Sequence, residues 1–187
     1  MTISKPSDPE EAYFKRQELE LRKQIRAELA KSADELHQQT QKPELLQRIR
    51  ALGFSGDNAQ VFDLLPLVQV AWADGSVSQK ERALIFRILE QRKILPESAP
   101  FRLIESLLES RPTEAFLTES LALLRDTIGS QHATNIVDCC IAVASISGGL
   151  FGLGLVNKVN NEERELIEKI SQTFGSAALD RFYRQLG

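Results

Sequence analysis

Two stretches of this 187-residue chain are copies of one pattern. "SVSQKERALIFRI", Ser76 to Ile88, aligns without a gap to "KVNNEERELIEKI", Lys158 to Ile170. Identical residues stand at Val77 and Val159, Glu81 and Glu163, Arg82 and Arg164, Leu84 and Leu166, Ile85 and Ile167, and Ile88 and Ile170. Upstream, "VAWADG" from Val70 matches "VASISG" from Val143, provided the second copy carries the insertion "GLFGLGLVN". Each copy reads as helix, turn, helix, near residues 70–89 and 143–171. A helix pair of this kind cannot bury its apolar stripe alone, so two related pairs facing each other across a shared core is the economical arrangement.

No run elsewhere alternates with period two over the length of a strand. The expected fold is all-α: a compact helical bundle of two pseudo-symmetric helix-turn-helix halves, preceded by a long N-terminal helix. That helix runs from about Pro9 to Gln39, with a narrow apolar stripe at Phe14, Leu21, Ile25, Leu29 and Leu36. It either lies on its own domain or serves as a coiled-coil or partner-binding arm. A short helix from Pro43 ends where Gly53 can turn left-handed. A helix from Asp57 or Asn58 to Trp72 must kink or restart near Asp63, because Pro66 removes a hydrogen bond and crowds the preceding turn. Further helices are expected over Ser78–Lys93, Glu97–Ser110, Thr113–Ile128, Ser130–Ser147, Asn160–Phe174 and Ser176–Leu186, punctuated by Pro96, Pro100, Pro112, Gly129 and Gly175. The organisation is then a polar helical extension, 1–42, and a helical domain, 43–187.

Apolar residues make up 42% and charged residues 26%, the balance of a soluble globular chain. With a net charge of -3 and basic residues interleaved with acidic ones, a nucleic-acid partner is excluded. The opening "MTISKPSDPEEAYFKRQ" has no apolar secretory core, so a cytoplasmic location is expected. The uncharged run from Cys139 to Asn157 nearly reaches spanning length. Its glycines argue for a buried helix followed by an apolar loop, since each costs about 1 kcal/mol relative to Ala within a helix. Adjacent Cys139 and Cys140 point about 100 degrees apart on a helix and are expected in the core.

"AWADGSVSQKE", Ala71 to Glu81, resembles half of a calcium loop. Setting Gly75 sixth and Glu81 twelfth, as such a loop requires, puts Val70 first and Trp72 third, and neither can ligate. Ser78 to Glu81 is instead a capping box, in which hydroxyl and carboxylate each satisfy an orphan amide. Asn160 to Glu163 repeats the device with an amide cap. Asp74 before Gly75 suits a tight turn. For catalysis there is little to work with: His37 and His132 are isolated in sequence, no nucleophile elbow occurs, and Gly148, Gly149, Gly152 and Gly154 follow a helix and lack a phosphate-loop ending. No catalytic residue and no enzyme activity are expected.

"VAWADGSVSQKERALI" resembles the A-DG-x-(V/I)-x-x-x-E signature of the TerB-like domains, the tellurite-resistance group that also includes the membrane-attached domain of a DnaJ-type co-chaperone. "VASISGGLFGLGLVNKVNNEERELI" is similar to the divergent second motif of that group, with a Gly-rich insertion. The resemblance covers roughly Ala59 to Tyr183. It implies a compact helical bundle, a divalent cation held by an acidic cluster, and a role linking stress responses to the membrane surface. By position the family's acidic residues fall on Asp74, Glu81 and Glu163, while Ser147 stands where a second motif aspartate would. The function expected is a non-catalytic binding or regulatory module in a bacterial stress response, with a protein partner and peripheral contact at the inner face of the membrane. A divalent-metal sensor is the alternative, and an enzyme with an unrecognised site the third reading. In the insertion, Leu150, Phe151, Leu153 and Leu155 either fold back onto the bundle or form a partner or membrane contact.

Overall fold

The computed structural model describes residues 43–147 and 159–187. The expected N-terminal helix and the insertion lie outside these residues. Eight α-helices and one 3₁₀ segment follow one another, with no strand among the described residues, so the fold is all-α. All belong to the second of two units into which the chain divides, Thr40–Gly187.

Helix α1, Pro43–Ala51, buries Leu45 and Ile49, four residues apart on one face. It stops as expected. Gly53 turns left-handed at φ +95°, its amide donates to the Arg50 carbonyl at 2.9 Å, and the Phe54 amide donates to the Ile49 carbonyl at 3.2 Å. This is the double hydrogen bond of a Schellman motif, which turns Phe54 inward against Phe62 at 5.0 Å between ring centroids.

The segment expected as one helix to Trp72 is two elements: a 3₁₀ stretch, Gly56–Leu64, then α2, Leu65–Ala71. Pro66 lies in the first turn of α2, where its missing amide has no helical partner to lose. The restart therefore falls two residues past Asp63, at Leu65. Six of the seven residues of α2 are buried, and the exception is Gln69. A helix that is apolar all round must be enclosed on every side.

Helix α6, Ser130–Ser147, supplies the largest enclosing surface. Its Ala133, Ile136, Val137, Cys140, Val143 and Ala144 recur at helical spacing and are buried. Helices α3, Gln79–Gln91, and α7, Asn161–Phe174, pack crosswise: α3 lies on α6 and α7 on α2, besides each touching the helix before it. Helix α4, Ala99–Glu109, covers the 3₁₀ segment and α2, and α5, Glu114–Thr127, covers α1, α2 and α7. Helix α8, Ser176–Leu186, closes α6 and α7 with fully buried Phe182. The cysteines are free; Cys140 is buried as expected and Cys139 partly so.

One buried ionic cluster joins three elements. Asp63, at the end of the 3₁₀ segment and 8% exposed, accepts two hydrogen bonds from Arg92 at the end of α3, at 2.6 and 2.8 Å. His132 Nε2, in the first turn of α6, is 2.8 Å from the same carboxylate. Burial works against the charge on Asp63, but the Arg92 charge and the bonds from His132 and Arg92 outweigh it and hold the carboxyl well below its ordinary 3.8. A folded pKa below the unfolded one gives stability that is present above the unfolded value and lost as pH falls below it. The urea midpoint of the wild type should therefore drop as pH falls past 4, and Asp63→Asn should flatten that drop. At neutral pH the same variant should lose about 3 kcal/mol, because Arg92 is left without its partner.

Candidate functional site

The chain leaves α2 through the turn that carries the A-DG motif. The Trp72 indole Nε1 donates to the Leu107 carbonyl at 2.9 Å and fixes the start of the turn. The Gly75 amide donates to the Trp72 carbonyl at 3.0 Å, with Gly75 at φ +92°, a conformation that disfavours a side chain. Asp74 is exposed, and its Oδ1 accepts from the Ser76 amide at 3.0 Å. Its carboxylate thus closes an Asx turn.

Both capping boxes form. Ser78 Oγ accepts from the Glu81 amide at 3.2 Å, and Glu81 Oε2 accepts from the Ser78 amide at 2.7 Å. Asn160 Oδ1 accepts from the Glu163 amide at 2.7 Å, and Glu163 Oε2 accepts from the Asn160 amide at 2.9 Å. The two glutamates are 2% and 1% exposed, so these are buried acids that the helix N-termini solvate. Burial pushes the Glu81 carboxyl above its ordinary 4.5; the hydrogen bonds with Ser78 oppose this, and the charges of Asp74 and Glu163 add to it. Of the three acids singled out from the sequence, Glu81 therefore lies within the field of the other two. Among the described residues, no group of three or more His, Cys, Asp or Glu side chains is arranged to hold a metal ion.

Leu150, Phe151, Leu153 and Leu155 lie outside the described residues. His132, isolated in the sequence, is brought to Asp63 across 69 positions, and no local pattern announces that pairing. Asp138 on α6 is likewise held by α8, accepting from Arg181 at 2.7 and 2.9 Å and from Gln185 at 2.8 Å. A cleft beside the A-DG turn also escaped the sequence reading. Trp72 and Ala73 line it together with Leu117 of α5 and Leu166 of α7. Its one legible signal was Gln69, the only polar residue in "LPLVQVA".

Two apolar helices at the centre, each leading into a helix that begins with a buried capping glutamate, define an all-α helix-pair domain. The family model described as tellurite resistance protein TerB matches residues 64–182, from the end of the 3₁₀ segment to Phe182. The chain belongs to the TerB family. No curated protein and no solved structure matches it.

Glu81→Ala should lower unfolding free energy by about 1 kcal/mol through the lost cap. Glu81→Gln should cost less, because glutamine still accepts from the Ser78 amide and places no charge beside Asp74 and Glu163. The raised folded pKa of Glu81 means that its ionisation disfavours the fold as pH rises past 4.5, opposite in sign to Asp63. Urea denaturation of both variants at pH 4 and pH 7 checks the order and the sign.

Proposed function

We propose that this chain is a non-catalytic binding module of a bacterial stress response, acting in the cytoplasm through a protein partner at the inner face of the membrane. The observation that carries the reading is the TerB match over 64–182. The uses to which the two perturbed acids are put also support it. Asp63 is held in an ion pair and Glu81 in a helix cap, which are structural tasks rather than those of a general acid or base. No helix among the described residues is long and apolar enough to cross a membrane. Contact with a bilayer would then be peripheral, and Leu150, Phe151, Leu153 and Leu155 in the insertion are the residues proposed to make it or to meet the partner. Pull-down from native lysate and vesicle flotation with wild type and the Phe151→Ser, Leu153→Ser double variant test this. The variant should lose the captured partner or the vesicles and keep its melting temperature. A fall in melting temperature would instead assign the insertion to the core.

A second reading is a divalent-cation sensor through Asp74, Glu81 and Glu163. It is favoured by the field that Asp74 and Glu163 exert on Glu81, which a cation would relieve, and carboxylate oxygens suit magnesium and calcium. Each of the three carboxylates already commits one oxygen to a backbone amide, so a cation would have to draw on the remaining oxygens. A ligand that prefers the native state must raise its melting temperature. Micromolar calcium, magnesium or zinc should do so for the wild type and fail to for Asp74→Asn; no rise in the wild type removes the sensor reading.

A further inference from the structure

We draw no further inference here: the strongest candidate, the surface patch on the turn between α3 and α4, where Leu95 stands 70% exposed between Lys93 and Glu97 at φ +61° and +70°, carries nothing because nothing in the structure shows what covers it.

Discussion

The enclosure of α2 is the constraint on which the rest of this domain depends. Seven residues are too few for a stable helix in water, because nucleation costs more than so short a ladder returns. Leu65–Ala71 is helical because α6, α5, α4 and α7 surround it and remove Leu67, Val68 and Val70 from solvent almost completely. Burial of side chains of this kind is worth about 1.5–3 kcal/mol each. The surrounding helices in turn have no other common surface to bury their stripes against. Helix and enclosure are mutually conditional, which is the basis of a cooperative fold.

Polar groups then set the angles at which this apolar assembly closes. The buried Asp63 carboxylate would oppose folding on its own, and Arg92 and His132 turn it into a joint between the 3₁₀ segment, α3 and α6. The capping glutamates act at the other end of their helices. Each carboxylate is nearly inaccessible to water and is solvated by the backbone it caps, so the start of α3 and of α7 is defined to the residue. The same glutamates recur in both copies of the repeat, and their first duty is architectural. Any ligand they bind must compete with an amide already in place.

A good part of this was legible in the sequence. The repeat at Ser76–Ile88 and Lys158–Ile170 announced two helices with matching caps, and both capping boxes form. Gly53 and Asn160 stand at the helix boundaries expected of them, since left-handed turns and N-caps are local events governed by a few adjacent residues. Less legible was the stretch before Trp72, where Pro66 predicted an interruption but not the tight 3₁₀ path that precedes it. That path follows from the packing of Phe62 on Phe54 and the pairing of Asp63, neither of which is a neighbour in sequence.

By itself the sequence determined the all-α class, the caps, the helix order and membership of the TerB pattern, because periodicity, capping and turn chemistry act within about a dozen residues. Only the tertiary structure decided that His132 meets Asp63, that Arg181 holds Asp138, that α3 and α7 cross to the opposite central helix, and that Gln69 lines a cleft with Glu162 and Lys169. Those partners are dozens of positions apart and share no periodicity. Their meeting is fixed by how the apolar faces interlock around α2, and the polar side chains at the edges of those faces are carried into contact by that packing.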